Sequence, residues 1–447
     1  MGKKKDAERV KVVTLGCPKN TVDSEAMMGI LQQDGYELTE SADSADTVVI
    51  NTCAFIDKAK EESIEAIIEA GYWKEEDPSR RLIVAGCLAQ RYAQELSEEM
   101  PEADAFVGTS EFMNVGGVIQ QTRAEERRVV KVSHPAYQYT QPFPRLQLTP
   151  WHYAYLKIAE GCDHRCTFCA IPSFRGRYSS RPLETLAEEA RRLADGGVKE
   201  LVLISQDTTW YGRDLYGECR LPQLLRTLAQ IDGIEWIRML YLYPTLVDDA
   251  LIETVASEEK VCAYFDIPLQ HIDNDVLKRM GRATSEASIR RLMDRIRRRM
   301  PNAALRTSFI VGFPGETEEA FGKLLDFMVE SEFEHCGVFE YSPEEGTPSA
   351  SWQRQVEEHV KQERLLELTA AQCEVAKRLR SQRIGQTARL LADRRRPGTP
   401  LLEARGAGQA PEIDDVVLVQ NSGARSGQFI DAHIIEAFEF DLLAVAV

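Results

Sequence analysis

Three cysteines, Cys162, Cys166 and Cys169, lie within ten residues at the spacing C-x3-C-x2-C, in the stretch "EGCDHRCTFC". Closed structural zinc sites take four protein ligands, and iron–sulfur cubanes are usually held by four cysteines. Three thiolates on one short loop therefore leave one iron of a 4Fe–4S cube without a protein ligand, as in catalytic metal sites. The spacing predicts a cluster at which a small molecule binds the open iron.

A second set of three cysteines is spread over the first hundred residues. Three β-branched runs, "VKVVTLGC", "DTVVINTC" and "RRLIVAGC", end at Cys17, Cys53 and Cys87. The cysteines recur about every 35 residues, which is the length of one strand–helix unit. Ligands of open parallel sheets bind outside the carboxyl ends of the strands. We therefore expect these cysteines to share one site, although three unrelated buried cysteines would give the same pattern.

The elements that must position these cysteines divide the chain of 447 residues into five parts. Strand and helix periodicities alternate over residues 1–132 and predict a parallel α/β domain. Residues 133–152 carry four prolines and read as a linker. Six strand–helix units over 153–355 predict an open, barrel-like parallel sheet. A long polar helix over 356–383 leads to short strand-like runs over 384–447, which predict a small antiparallel β-barrel.

In the central region, the chemistry is expected at the carboxyl ends of the strands. The cysteine loop follows the first strand, "YAYLKIAEG", and "SQDT" (Ser205 to Thr208) ends the second. "GFPGET" (Gly312 to Thr317) supplies a turn after the fifth strand, for which a structural role is expected. His164, inside the cysteine loop, is assigned no role.

Taken in order, these motifs resemble the radical-SAM methylthiotransferase family. The C-x3-C-x2-C loop resembles the cluster loop of radical-SAM enzymes, and "TLGCPKNTVDSE", "NTCAFID" and "VAGCLAQ" resemble the N-terminal domain of the methylthiotransferases. The terminal barrel resembles a TRAM domain. The resemblance implies two 4Fe–4S clusters, one on each cysteine triad, and S-adenosylmethionine bound at the open iron of the loop cluster. It also implies that Phe168 packs near the adenine and that Gln206 binds the methionine amine.

The reaction that the resemblance implies replaces a C–H bond by C–S–CH3. One S-adenosylmethionine methylates a sulfur held on the auxiliary cluster, and a second gives a radical that abstracts hydrogen from the substrate. "GCPKN" (Gly16 to Asn20) resembles the RimO-type branch, whose substrate is the β-carbon of an aspartate in small-subunit ribosomal protein twelve, free or on the ribosome. The alternative is an adenosine derivative of tRNA, whose branch tends to have "GCQMN". A non-catalytic iron–sulfur protein is disfavoured by the open sites.

Charge also favours a protein substrate over RNA. The formal net charge is −17, and residues 401–447 hold eight acidic residues and two arginines. A module that binds phosphate should be basic. We expect acidic residues such as Glu412, Asp414 and Asp415 to attract a basic ribosomal protein. Contact with tRNA would require the arginines of "SFRGRYSSR" (Ser173 to Arg181) or "SIRRLMDRIRRR" (Ser288 to Arg299).

The remaining expectations concern the surroundings of the protein. No apolar run reaches the roughly 18 residues of a transmembrane helix, and the N-terminus lacks the apolar core of a secretory signal. We expect a cytoplasmic protein with no membrane partner. The resemblance implies an electron donor such as flavodoxin or ferredoxin.

Overall fold

A parallel sheet of six strands organises the N-terminal region. The computed structural model describes residues 7–125, 128–136 and 142–447. The strands of this region are β1 (Arg9–Thr14), β2 (Glu37–Leu38), β3 (Thr47–Thr52), β4 (Arg81–Gly86), β5 (Ala105–Val107) and β6 (Val129–Lys131). The helices are α1 (Pro18–Gln33), α2 (Asp57–Glu75), α3 (Cys87–Glu99) and α4 (Val115–Ala124). The sheet order is β2-β1-β3-β4-β5-β6, all pairs are parallel, and the predicted α/β domain is confirmed.

An open arc of six parallel strands forms the central region. Its strands, with a short hairpin β8/β9, are β7 (Tyr153–Lys157), β8 (Ala159–Glu160), β9 (Ser179–Ser180), β10 (Glu200–Ile204), β11 (Trp236–Met239), β12 (Tyr264–Asp266), β13 (Ala304–Val311) and β14 (His335–Glu340). Its helices are α5 (Ile171–Arg175), α6 (Leu183–Asp195), α7 (Arg213–Tyr216), α8 (Leu221–Ala229), α9 (Asp249–Ser257), α10 (Asn274–Arg279), α11 (Glu286–Arg299) and α12 (Glu318–Ser331). The halves β7-β10-β11 and β12-β13-β14 meet at one parallel bridge between Ile237 and Val261. This is the predicted open six-unit barrel.

A long helix and a closed five-stranded barrel complete the chain. They are α13 (Glu358–Ser381), β15 (Thr387–Arg395), β16 (Leu402–Arg405), β17 (Val417–Gln420), β18 (Phe429–Ala437) and β19 (Leu442–Ala446). The ring order is β15-β16-β17-β19-β18, and β17 pairs with β19 in parallel. The predicted small antiparallel barrel is therefore confirmed, with one parallel pair in addition to its four antiparallel pairs. An odd number of strands cannot alternate in direction all round a closed ring, so one pair must be parallel.

The C-terminal barrel closes the amino-terminal end of the central arc. Glu412 accepts hydrogen bonds from the hydroxyls of Tyr153 (2.7 Å) and Tyr155 (3.0 Å), both on β7. Asp414 accepts from the hydroxyl of Tyr264, the first residue of β12, at 2.7 Å. The side chain of Asp414 is 1% exposed. The expectation that these acidic residues attract the substrate is thus wrong, because they are consumed in contacts between the two barrels.

The predicted linker also packs tightly where it is described. Arg145 pairs with Glu25 of α1 and, at 2.8 Å, with Glu189 of α6. The backbone N–H of Leu146 donates to the Glu25 carbonyl at 2.9 Å. Residues 137–141 of this segment lie outside the described residues. The segment therefore fixes α1 against the central arc. Of the described helices, none combines the length and apolar character needed to span a membrane.

Candidate active site between two cysteine triads

The scattered cysteines of the N-terminal region come together at one edge of its sheet. Cys17 caps the N-terminus of α1, Cys53 follows β3 directly, and Cys87 opens α3 immediately after β4. Because β1, β3 and β4 are adjacent parallel strands, their carboxyl ends lie side by side. The pKa of Cys53 is raised by burial and by the nearby Cys17. The expected convergence of the three thiols is therefore observed.

Two features of the local sequence bring the loops of this triad into contact. Gly16 has φ +87°, and a Cβ atom there would lie 2.9 Å from the Cys53 sulfur, so only glycine lets the two loops approach this closely. The side-chain amide of Asn20 donates to the carbonyls of Leu15 and Thr52, each at 2.9 Å. These bonds join the loop after β1 to the end of β3.

The second triad occupies the loop between β8 and α5. The N–H of Cys162 donates to the Gly176 carbonyl at 3.1 Å, and the N–H of Cys169 donates to the Cys166 carbonyl at 3.2 Å. Burial raises the pKa of the Cys162 thiol to about 12, and the neighbouring Cys166 adds to the rise. Burial likewise raises the pKa of Cys169. Three thiols on one compact loop thus face one another in a partly buried pocket.

Both triads fit a polynuclear cluster better than a single metal ion. A mononuclear zinc site draws its sulfur ligands to about 2.3 Å from one point. Within the described ranges, no three His, Cys, Asp or Glu side chains converge in this way. The three thiols that hold an iron–sulfur cube each bind a different iron, so they need not lie at one distance from a single point.

A buried ionic network connects the two triads. The Arg175 guanidinium contacts the Cys87 sulfur through Nε (3.3 Å) and Nη2 (3.1 Å), and its Nη1 donates to Asp23 (2.8 Å) and Glu160 (3.1 Å). Lys157 Nζ also pairs with Glu160 at 2.8 Å and with Asp23. Burial alone would raise the pKa of Glu160, but Arg175 and Lys157 lower it to about 2. The carboxylate is therefore charged and links one cysteine site to the other.

The sequence analysis missed this network. Asp23 and Glu160 lie inside motifs from which only the cysteines were assigned a role, and Arg175 was considered only as a possible contact for tRNA. Each side chain is at most 5% exposed. Ionised groups are rarely fully buried unless they are paired. The sequence signal for the network was therefore the presence of charged residues within the cysteine motifs.

Gln206 and Phe168 lie beside the cysteine loop. The Gln206 amide donates to Glu160, while its Oε1 is buried and has no hydrogen-bond partner among the described residues. A buried acceptor without a partner suits an ammonium donor such as a methionine amine. Phe168 is half-buried and packs edge-to-face on Phe313, with 6.4 Å between ring centroids. The roles predicted for both residues stay predictions.

His164 and the "GFPGET" turn have structural roles. His164 Nε2 lies 2.6 Å from Asp207 Oδ2, and its ring stacks on Tyr243 with 3.7 Å between centroids. These contacts hold the cysteine loop on the central arc. In the turn, the buried Glu316 accepts a hydrogen bond from Arg364 of α13 at 3.1 Å.

Neither arginine-rich segment forms an open phosphate-binding surface. In "SFRGRYSSR", Arg175 and Arg181 are buried and paired with carboxylates, and the exposed Arg177 pairs with Asp163. Four arginines of α11 pair with acidic residues on or beside neighbouring elements: Arg290 with Glu330, Arg295 with Asp249, Arg297 with Glu334 and Arg299 with Glu253. Most of the arginines of this helix are therefore paired with carboxylates, while Arg291 and Arg298 are exposed.

Comparison with known families divides the chain as the fold does. The Uncharacterized protein family UPF0004 matches residues 9–108, the Radical SAM superfamily matches residues 156–328, and the TRAM domain matches residues 384–447. Among solved structures, the radical S-adenosylmethionine methyltransferase TsrM from Kitasatospora setae is similar with a TM-score of 0.57 at 15% identity, covering 77% of this chain and 75% of that one. The cobalamin-dependent S-adenosylmethionine radical enzyme OxsB gives a TM-score of 0.54 at 13% identity, covering 82% of this chain and 56% of that one. At these identities the likeness concerns the fold alone.

Full-length relatives are much closer in sequence. The ribosomal protein uS12 methylthiotransferase RimO of Geotalea uraniireducens is 46% identical over 441 residues, which is 98% of each chain. The protein of the same name from Geobacter sulfurreducens is 45% identical over 437 residues, again 98% of each chain. That of Symbiobacterium thermophilum is 46% identical and covers 98% of this chain and 91% of its own. The chain therefore belongs to the RimO family of methylthiotransferases, within the radical SAM superfamily.

Proposed function

We propose that this protein attaches a methylthio group to the β-carbon of an aspartate in ribosomal protein uS12. The observation that carries the proposal is the pair of three-cysteine sites, connected through Arg175 and Glu160, in a chain whose full-length relatives bear that activity in their names. A single triad would suit many radical reactions. Two triads joined by one ionic network suit a reaction that needs both a radical and a sulfur carrier.

We assign each triad to one 4Fe–4S cluster, with Cys162, Cys166 and Cys169 at the S-adenosylmethionine site and Cys17, Cys53 and Cys87 at the auxiliary site. When bound, the clusters and S-adenosylmethionine supply a 5′-deoxyadenosyl radical and the methylated sulfur. Phe168 would contact the adenine, and Gln206 Oε1 would accept a hydrogen bond from the methionine amine.

The protein residues around the triads prepare a dry and electrically balanced site. Arg175 donates toward the Cys87 sulfur and so offsets the negative charge of a thiolate ligand. Lys157 and Arg175 together balance the carboxylates of Asp23 and Glu160. All four side chains are buried, so water is excluded from the contact between the two triads. Exclusion of water protects a reactive radical from side reactions.

The substrate assignment rests on the relatives and on the absence of a suitable RNA surface. The net charge of −17 still favours a basic partner, although the side chains of Asp414 and Asp415 are buried between the barrels and Glu412 bonds to two tyrosines of β7. The paired arginines of α11 remove the strongest support for tRNA. We propose that the enzyme acts in the cytoplasm, on uS12 free or within the ribosome.

An electron donor would dock near the cysteine loop. Arg165 within the loop and Lys278 of α10 are both exposed. The backbone of Arg165 lies against Gly281, three residues after Lys278, since a Cβ atom on Gly281 would lie 2.5 Å from the Arg165 carbonyl oxygen. Exposed cations at this place would attract an acidic redox protein of the flavodoxin or ferredoxin class.

We retain the division into domains at 1–132, 153–355 and 384–447, joined by 133–152 and by the helical segment 356–383. The supporting observation is the separate sheets of the three parts. The contacts of Arg145 make the first connection a packed strap rather than a free tether.

The substrate is tested by mass spectrometry of uS12 and of bulk tRNA after incubation with the reconstituted enzyme. We expect the mass gain of a methylthio group on one aspartate of uS12 and none on adenosine. A gain on adenosine alone would overturn the proposal.

The two cluster sites are tested with two triple alanine variants. Replacing Cys162, Cys166 and Cys169 should leave about half the iron and abolish cleavage of S-adenosylmethionine, because only the auxiliary cluster remains. Replacing Cys17, Cys53 and Cys87 should preserve cleavage to 5′-deoxyadenosine but abolish the methylthio product. If the first variant still cleaves, or the second still forms product, the assignment of the triads is wrong.

A further inference from the structure

Lys19 places a buried ammonium group beside the auxiliary triad and near Glu160, which precedes the second triad. The residue lies in the first turn of α1, two positions after Cys17, and is 9% exposed. Its Nζ lies 3.2 Å from the centroid of the Tyr241 ring. Among the described residues it forms no ion pair and no side-chain hydrogen bond. Lys157, by contrast, is fully buried and pairs with two carboxylates.

Burial of this ammonium group is unfavourable unless an anion pairs with it. Desolvating a charged group without a partner costs several kcal/mol, and a cation–π contact returns only about 2 kcal/mol when desolvated. The ring therefore orients the ammonium without neutralising it. A buried lysine in this state is a binding site for a negatively charged ligand.

The partner of Lys19 is itself held in a strained conformation. Tyr241 follows β11 and has φ +62°, a region in which non-glycine residues cost of order 1–3 kcal/mol. Its N–H donates to Asp266 at 2.8 Å, and its carbonyl accepts from the N–H of Thr208 at 3.0 Å. Thr208 lies two residues after Gln206. The strain thus fixes the ring between the auxiliary triad and the segment assigned to S-adenosylmethionine.

We propose that Lys19 binds the side-chain carboxylate of the aspartate that the enzyme modifies. This inference rests on the proposed function and deepens it, because it names the group that selects the residue to be modified. The β-carbon of aspartate is bonded directly to its carboxylate. An ion pair with Lys19 would fix the carboxylate beside the auxiliary triad. The reacting β-carbon is one bond from that carboxylate and is therefore held in place with it. Asparagine, which is nearly the same in shape but uncharged, would leave the ammonium unpaired and is rejected.

The test exploits this difference in charge between two ligands of one shape. A uS12-derived peptide with the target aspartate and its twin with asparagine are titrated into the reconstituted full-length enzyme by fluorescence anisotropy, with S-adenosylmethionine present. The wild type should bind the aspartate peptide roughly tenfold to hundredfold more tightly, as expected for a charge-assisted hydrogen bond. Lys19→Met should bring the two affinities within about twofold.

Controls separate recognition from damage to the fold. Lys19→Gln is a second neutral variant, and the iron content of each variant verifies that both clusters are loaded. Lys377→Met, on the exposed face of α13, removes an equal charge elsewhere and should keep the wild-type preference.

Either neutral variant with full iron content and an unchanged preference for aspartate would overturn the role of Lys19. A wild type without any preference would do so too. Failure of the wild type to modify uS12 at all would instead overturn the proposed function, so the two failures are distinguishable.

Discussion

At the scale of single residues, Arg175 has the most demanding environment in the described chain. One guanidinium contacts a cysteine of the auxiliary triad, a carboxylate of α1 and the carboxylate that precedes the second triad. Its neighbour Arg177 lies two positions along the chain, has an 87% exposed side chain and pairs with Asp163 in solvent. The two arginines lie two positions apart in the chain, but one is buried in an ionic network and the other is exposed to solvent.

Arg175→Met should destabilise the protein by about 3–5 kcal/mol, because it leaves Asp23 and Glu160 buried with only Lys157 to balance them. Anaerobic denaturant unfolding of the reconstituted protein measures the effect. Arg177→Met should cause no measurable loss, since exposed ion pairs contribute little. Equal losses of stability in the two variants would show that the buried network contributes no more to stability than the exposed ion pair.

At the scale of elements, most of what could be predicted followed from periodicity. The three N-terminal strands that end at the cysteines and the six strand–helix units of the central region follow from repeated apolar runs separated by helical segments, whereas β2, β5 and β6 were not predicted. The short strand β16 and the parallel pairing of β19 could not be predicted, because a ring of strands closes through contacts distant in sequence. The cysteine triads were predictable from spacing. The ionic network around Arg175 was not, because it joins residues from α1, β8 and α5 whose proximity depends on the docking of two domains.

A buried histidine in the segment between β12 and α10 should make the stability of the protein depend on pH. His271 is fully buried; its Nδ1 accepts from the N–H of Asp273 at 3.0 Å, and its Nε2 has no hydrogen-bond partner among the described residues. Burial lowers its pKa from 6.5 to about 3. Below pH 6.5 the unfolded chain takes up a proton that the folded chain refuses, so this residue makes stability fall as the pH falls.

The wild type should lose about 1 kcal/mol per pH unit more than His271→Gln between pH 6.5 and pH 5. Thermal unfolding at several pH values measures the difference. His359→Gln, at an exposed position of α13, serves as the matched control and should follow the wild type. Parallel curves for wild type and His271→Gln would contradict the prediction.

At the scale of the whole molecule, the C-terminal barrel covers the amino-terminal end of the central arc. Arg405 of β16 pairs with Glu200 of β10 at 2.7 Å and with Asp393 of β15 at 2.8 Å, and Asp393 also contacts His152 at 2.8 Å. This chain of charges is buried at the contact between the barrels. It holds the TRAM domain against the central arc.

Arg405→Met should cost about 3–5 kcal/mol of stability, because Glu200 and Asp393 lose a shared partner in a buried interface. It should also make the segment after α13 sensitive to limited proteolysis. Arg394→Met, which removes an exposed arginine from the neighbouring strand, should change neither property. If Arg405→Met is as resistant to protease as the wild type, the barrel is held by its apolar contacts rather than by this network.

The carboxylates of α1 have a consequence for the order of biosynthesis. Asp23 and Glu25 are buried in the finished protein, yet their partners Arg145, Lys157 and Arg175 follow up to 152 residues later. At roughly 5–20 residues per second, a ribosome adds those residues in about ten to thirty seconds. During that interval, in which β2 to β6 are themselves being made, α1 carries acidic groups that only water can satisfy. Until the central arc has been made, the auxiliary cysteines of the nascent domain are therefore accessible from the side that this arc later covers.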